Sequence, residues 1–266
     1  MHLPGHGNGF VITATMLTPD IVRTFFLTFN DSIMRLNTFP DQDKSVSPTD
    51  KDVEKVYDSI AEGFYHLRRQ PAVFDTEKYA RAWKQGKLLD VGCGVATHSI
   101  VFAKYGFDCV GVDISKQQLF WAKKNMEKNG VNFPLVKSDC LKLPFKNNTF
   151  DYVISIAVVH HLDSEEKRLK SFREIWRVLK PNGVAFITAW NKTQPRFFFG
   201  KQDRYVSWNH RGTIYHRYYH LFTYNEMGNL AKMARFKVLK LFAEDSYRLP
   251  FKMFSKNVCA LLKKQI

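Results

Sequence analysis

Three acids stand at the ends of successive apolar runs. In Leu88-Leu-Asp-Val-Gly-Cys-Gly-Val-Ala-Thr97 a strand-like run leads into Gly92 and Gly94 and then into a helix. Such a turn lets backbone N–H groups approach a ligand at the carboxyl end of a sheet. A dinucleotide fingerprint would carry a third glycine at position 97, where this chain has Thr97. Asp90, just inside the strand, suits a cationic or amino-bearing ligand and not a pyrophosphate. Asp113 closes the next apolar run, where a carboxylate can accept from both hydroxyls of a ribose. Asp139 follows a third run, in Val136-Lys-Ser-Asp-Cys140, where an adenine amino group can be read.

The elements that must hold these acids alternate along the chain. Strands are predicted over 87–91, 108–113, 131–137, 150–156 and 183–190. Helices run from the glycine loop to about 105, over 116–129 and over 164–179. Strands alternating with helices make parallel βαβ units and a doubly wound sheet. After an irregular stretch, 191–221, a helix over 224–234 and two strands over 236–244 and 256–263 read as a closing antiparallel pair. Ahead of the sheet, Val53, Val56, Tyr57, Ile60 and Phe64 share one helical face, with Thr49 or Asp50 as the expected N-cap.

Asp90-Val-Gly-Cys-Gly94, Asp113, Asp139 and Leu179-Lys-Pro-Asn-Gly183, in this order and spacing, resemble a class I S-adenosylmethionine-dependent methyltransferase over residues ~50–265. The resemblance implies an α/β, Rossmann-like fold: a mostly parallel seven-stranded sheet with an antiparallel C-terminal strand and helices on both faces. It implies S-adenosylmethionine as cofactor, bound by Asp90, Gly92, Gly94, Asp113, Ile114, Asp139, Cys140 and Ser155. An NAD-dependent enzyme or a ligand-free Rossmann-like domain is the competitor at the level of fold.

Further segments narrow the family. Ser155-Ile-Ala-Val-Val-His-His161, Lys201-Gln-Asp-Arg-Tyr-Val-Ser-Trp208, His216-Arg-Tyr-Tyr-His-Leu-Phe222, and Ile60-Ala-Glu-Gly-Phe64 with Arg68 and Pro71 are the segments concerned. They resemble the tRNA wobble-uridine methyltransferases of eukaryotes and archaea, which esterify 5-carboxymethyluridine in the anticodon loop. A carboxylate acceptor, with a reference pKa of about 4, is already ionised near neutral pH and needs no general base. It needs to be held in line with the methyl group. The planar fork of arginine binds a carboxylate bidentately, so Arg68 and Arg217 are the candidate clamps. His161 and Tyr219 are the candidate orienting donors. His160 and His161 cannot both face one pocket on a continuing strand, and the resemblance favours His161. A small-molecule methyltransferase acting on a quinone or lipid precursor, and a non-catalytic adenosylmethionine- or RNA-binding subunit, are the rival readings.

The chain has 266 residues, 40 Lys and Arg against 25 Asp and Glu, and a formal net charge of +15. That excess points to an acidic partner. Residues 191–222 hold six bases against one acid, Asp203, with nine aromatics interleaved. This composition suits splayed RNA bases stacked on rings with phosphates tracked by cations, so the segment is expected to be an RNA-facing insertion that takes the tRNA anticodon loop. Lys252, Lys256, Lys263 and Lys264 are expected either to widen that footprint or to form a solvated face.

The resemblance also implies a small zinc-containing activator protein at an exposed sheet edge. The third strand is the expected edge, and Pro134 suits an edge because it cannot donate to a ladder. Cys93, Cys109, Cys140 and Cys259 show no paired spacing, so reduced thiols are expected and no metal site is readable. No apolar run reaches the ~20 residues that span a bilayer, and cytoplasmic residence is the default expectation. Residues 1–48 read as a poorly defined N-terminal extension to a domain at 49–266. A weak targeting segment, and a start at Met16 or Met34, both stay open.

Overall fold

The computed structural model describes residues 52–67, 75–247 and 251–265. The extension 1–48, the expected cap at Thr49 or Asp50, and Arg68 and Pro71 lie outside the described residues. Helix α1 (Val53–Leu67) is capped by Asp52, whose Oδ1 accepts from the Lys55 amide at 3.3 Å. It is followed by α2 (Asp75–Ala82) and then by the alternating elements β1 (Lys87–Val91), α3 (Thr97–Lys104), β2 (Asp108–Asp113), α4 (Lys116–Lys128) and β3 (Leu135–Lys137). The second half carries β4 (Phe150–Ile156), α5 (Glu165–Val178), β5 (Leu179–Trp190), β6 (Asp203–His210), β7 (Thr213–His220), α6 (Tyr224–Met233), β8 (Phe236–Ala243) and β9 (Asn257–Lys264).

Seven strands form one sheet in the order β3-β2-β1-β4-β5-β9-β8. Pairing is parallel from β3 through β5, whereas β9 runs antiparallel to both of its neighbours. Leu88, Leu89, Val153, Ile154, Phe186 and Ile187 are fully buried although neighbours in sequence point to opposite faces. Both faces must therefore be covered, as a parallel sheet requires. One apolar layer gathers Phe150, Phe172 and Ile175, and the other gathers Phe102, Met126 and Phe186. This is the expected class I methyltransferase architecture, and β3 stands at an edge.

Three elements differ from the sequence expectation. β3 begins at Leu135, not at 131, because Phe133 turns into the core and Pro134 has no N–H; the Pro134 carbonyl instead accepts from Gly111 at 2.9 Å. β5 begins at Leu179, not at 183. Leu179 pairs with Phe150, and Pro181-Asn182-Gly183 then form an irregularity before pairing resumes at Val184. A Cβ on Gly183 would meet the Lys180 and Asp151 carbonyl oxygens at 2.9 and 3.0 Å, which explains the glycine there.

The largest difference lies at 191–221, read as irregular. It contains a β6–β7 hairpin in full antiparallel register from Asp203–His220 to His210–Thr213. Arg211 and Gly212, with φ of 53° and 85°, make its two-residue turn, and positive φ at both positions matches the twist of the flanking strands. Lys264 is also resolved: its ammonium is buried against the Leu179 carbonyl at 2.8 Å and Asn148 Oδ1 at 2.7 Å. It belongs to the packing of the sheet and to no phosphate footprint.

Candidate active site

The cofactor side is built where β1 and β2 end. The chain leaves β1 through Gly92 (φ 72°) and Gly94 (φ 51°), and Ala96 (φ 60°) starts α3. A Cβ on Gly92 would stand 2.4 Å from Val158 Cγ2, so the loop after β4 packs directly on this turn. The Gly92 and Cys93 amides both donate to the Val112 carbonyl, at 2.8 and 2.9 Å, which ties the turn to the end of β2. Asp113 Oδ2 accepts from the Gly94 amide at 2.8 Å and its Oδ1 from the Ser115 amide at 2.9 Å. Each oxygen keeps one lone pair, which is what a ribose diol takes.

Burial pushes the Asp90 carboxyl up to about 7, the Ser99 hydroxyl opposes this, and the nearby charge of Asp113 adds to it. Burial pushes Asp113 up to about 6, against the pull of its backbone N–H donors. Two buried carboxylates this close lack a counter-cation among the described residues, so a cationic ligand fits them. Ile114 lies half-buried beside Asp113. Asp139 is exposed after β3, with Oδ1 accepting from the Leu141 amide at 2.8 Å, and the neighbouring Ser138 amide donates to the Asp113 carbonyl at 2.9 Å. The Cys140 thiol is pushed up to about 12 by burial and stays protonated. Ser155 is fully buried on β4 and its hydroxyl has no partner among the described residues. Seven of the eight expected cofactor residues thus gather at the carboxyl ends of β1, β2 and β3, and Ser155 lies one strand away.

The acceptor side forms after β4. The strand does not continue: Ala157 takes φ 60° and Val159–His161 is a 3-10 turn. The alternation argument about the two histidines therefore has no strand to act on. His160 is fully buried, stacks on Tyr219 with ring centroids 4.6 Å apart, and accepts at Nδ1 from the Trp190 amide at 3.2 Å. His161 faces a cleft that it lines with Val53, Val56, Tyr57, Arg217 and Tyr218. Its Nδ1 lies 2.9 Å from the Tyr218 carbonyl and its Nε2 2.7 Å from the Tyr57 hydroxyl. A carbonyl only accepts, so Nδ1 carries the proton and Nε2 receives the Tyr57 hydroxyl proton. Burial, reinforced by the Arg217 charge, depresses His161 to about 3 despite the carbonyl that stabilises its proton.

Arg217 is 7% exposed and lies against the rings of Trp208 and Tyr219, at 4.9 and 5.3 Å. Its Nε has no hydrogen-bond partner, and no acid lies within ion-pair reach among the described residues. The buried basic side chains nearby are treated differently. Arg168 donates to the Leu162 carbonyl at 2.9 Å and faces Glu226 at 3.9 Å. His220 is held between Asp203 at 2.7 Å and Glu226 at 2.5 Å, which makes it a fastener of the hairpin. Tyr219, expected to orient the acceptor, is 3% exposed and stacked in the His160 and Trp190 cluster beside Arg217.

Helix α1 spans both halves. Asp58 accepts from the Ser115 hydroxyl at 2.5 Å and the Gln117 amide at 3.1 Å, on the ribose side, while the adjacent Tyr57 reaches His161. The hairpin tip holds α1 from above through Arg211–Glu62 at 2.9 Å and Trp208 against Phe64 at 5.9 Å. Sequence reasoning placed Tyr57 on the apolar face of its helix and missed its hydroxyl; no local pattern marks it. Trp208 and Gln118 were also missed, although Trp208 lay inside a segment singled out for its likeness.

Comparison with known proteins agrees with this geometry. A family model described as a methyltransferase domain matches residues 89–187. The tRNA (carboxymethyluridine(34)-5-O)-methyltransferase of Schizosaccharomyces pombe is 30% identical over 214 residues, covering 71% of this chain and 90% of that protein. The PH0226 protein of Pyrococcus horikoshii OT3 superposes with a TM-score of 0.57 at 25% identity, over 82% of this chain and 94% of that one. A methyltransferase solved in complex with the Haloferax volcanii Trm112 methyltransferase activator has a TM-score of 0.60 at 16% identity, over 81% of this chain and 98% of that one, and shows the shared fold. By an alignment at 30% identity that spans 90% of the Schizosaccharomyces pombe enzyme, together with the methyltransferase sheet order, the chain belongs to the tRNA (carboxymethyluridine(34)-5-O)-methyltransferase family of class I S-adenosylmethionine-dependent methyltransferases.

Proposed function

We propose that this chain methylates the carboxylate of 5-carboxymethyluridine at the wobble position of tRNA, giving the methyl ester. The observation that carries this reading is Arg217: a buried guanidinium without an acid among the described residues, lining a cleft with Tyr57 and His161. A buried cation that no acid neutralises is costly, and a substrate carboxylate offsets that cost while being positioned by two parallel N–H donors. S-adenosylmethionine supplies a methyl group on a sulfonium centre. In this reading Asp113 holds its ribose, Asp90 its cationic end and Asp139 its adenine amino group. Tyr57 is fixed by His161, and Arg217 by Trp208 and Tyr219, so the clamp is set before the acceptor arrives. No proton moves, which matches a His161 that is held neutral. A neutral acceptor from a quinone or lipid precursor would leave Arg217 without a counter-charge.

The β6–β7 hairpin and its flanking basic residues form the surface on which the anticodon loop rests. The free edge at β3, three residues long and preceded by the exposed Pro134, is where a small activator protein adds a strand, as the class of neighbour solved with its activator suggests. The four cysteines form no disulfide, in keeping with a cytoplasmic location. No described helix is long and apolar enough to cross a membrane.

The test is nucleoside mass spectrometry of tRNA incubated with the protein, an activator and methyl-labelled cofactor. Label in a carboxymethyluridine ester, released by mild alkali, is the expected result. Label in an alkali-stable position ends the proposal.

A further inference from the structure

We infer that Gln118 is a ribose-binding residue, a neutral partner to Asp113 in holding the adenosine half of the cofactor. The inference rests on reading the Gly92–Gly94 turn as the S-adenosylmethionine site. Gln118 lies in the first turn of α4, where its amide donates to the Ser115 hydroxyl at 3.0 Å. The residue is 1% exposed, as deeply placed as Asp90, and neither Nε2 nor Oε1 has a hydrogen-bond partner. A carboxamide carries two donors and two acceptor lone pairs, and buried polar groups are almost always satisfied. An apolar side chain would fill the same space without that cost, so an unmet carboxamide here points to a ligand that meets it.

Its position says which ligand atoms these are. Oε1 would stand 3.6 Å from a Cβ built on Gly94. The Gly94 amide itself donates to Asp113 Oδ2 at 2.8 Å, and Ser115, one helical turn before Gln118, donates through its amide to Asp113 Oδ1 at 2.9 Å. The carboxamide and the ribose carboxylate therefore border the same glycine. A carboxylate only accepts, whereas each ribose hydroxyl both gives and takes a hydrogen bond. Gln118 supplies the missing donor, and it does so without a third negative charge beside Asp113 and Asp58.

Gln118→Met and Gln118→Leu keep the bulk and remove both polar atoms; either suffices if the other fails to fold. Titration calorimetry with S-adenosylhomocysteine and with 5′-methylthioadenosine, which keeps the ribose and lacks the amino acid, reads the ligand contact. Thermal unfolding of the ligand-free protein reads the fold. The expected result is an affinity about tenfold lower for both ligands, the worth of roughly one hydrogen bond, with the ligand-free melting temperature unchanged or raised. Unchanged affinity, with or without a fall in melting temperature, overturns the inference. So does a loss confined to S-adenosylhomocysteine, which would place the contact at the amino-acid half. Failure of the unsubstituted protein to bind either ligand would overturn the cofactor reading, and Gln118 with it.

Discussion

The Tyr57 hydroxyl donates to His161 Nε2 across 2.7 Å and thereby joins the first described helix to the turn after β4. The direction of that bond follows from the other side of the ring, where Nδ1 must donate to the Tyr218 carbonyl at 2.9 Å. One histidine thus fixes a hydroxyl, a hairpin carbonyl and its own tautomer. Its depressed pKa of about 3 means that protonation sets in only as pH falls far below neutrality.

Turnover at saturating cofactor should therefore show no histidine limb between about pH 5.5 and 8.5. Tyr57→Phe should lower kcat by about tenfold, a lost hydrogen bond, with cofactor affinity retained. Single-turnover rates across that range decide it. A limb near 6.5 that disappears in His161→Asn would mean that the ring exchanges protons during catalysis.

Arg217 should be a liability in the free protein and an asset with substrate. Arg217→Met keeps the contacts with Trp208 and Tyr219 and removes a buried charge that no acid neutralises, so ligand-free thermal stability should hold or rise. kcat/KM should fall by roughly ten- to a hundredfold, the range for a charged hydrogen-bond partner, and Arg217→Lys should recover little because a point charge lacks the fork. Parallel melting curves and steady-state kinetics test both halves. A destabilised Arg217→Met that retains turnover would assign the guanidinium to packing.

The legible parts of this chain were those in which one local pattern carries one element. Asp90, Gly92, Gly94 and Asp113 sit at strand ends flanked by apolar runs, and the sheet places them together as the spacing demanded. The hairpin was illegible for a local reason. Its turn is Arg211-Gly212, with only one of the residues that usually mark such a turn, and its strands show no regular polar–apolar alternation, their aromatics falling at 205, 208, 215, 218 and 219. Tyr57 and Gln118 were illegible for a different reason: each acquires its role from residues 104 and 24 positions away, His161 and Gly94, and no short window contains both partners. The histidine pair misled because alternation presumes a strand, and Ala157 ends it.

Cofactor affinity should depend on pH through Asp90 and Asp113. Both carboxyls are raised, to about 7 and about 6, chiefly by burial, so part of the ligand-free population carries protons there near neutrality. A cationic ligand binds the ionised pair, and protons must leave on binding. S-adenosylmethionine affinity should then be full above about pH 7.5 and fall as pH drops through 7 to 5.5, with proton release visible as a buffer-dependent calorimetric enthalpy. In Asp113→Asn the fall should begin at lower pH, because the neighbouring charge that helps to raise Asp90 is gone. A pH-independent affinity would mean that both acids are already ionised in the free protein.

Salt dependence should divide the basic residues of the hairpin region into those that meet RNA and those that hold the fold. Lys192 donates to the Phe197 and Phe198 carbonyls, each at 3.0 Å, Arg211 pairs with Glu62, and Arg217 is buried in the cleft. Arg204 lies on β6 over the Phe197 ring, at 4.5 Å, and Lys201 is exposed at the entry to β6, both on the hairpin proposed to take the anticodon loop. Each phosphate neutralised contributes about −0.7 to −0.9 to the slope of log K against log salt. Lys201→Ala and Arg204→Ala should each reduce the tRNA-binding slope by about that amount, whereas Lys192→Ala should leave the slope alone and lower the melting temperature. Fluorescence anisotropy of an anticodon stem-loop between about 50 and 300 mM salt is the measurement. Equal slopes in all three variants would move the phosphate contacts away from this hairpin, because counterion release counts only charges that reach the RNA.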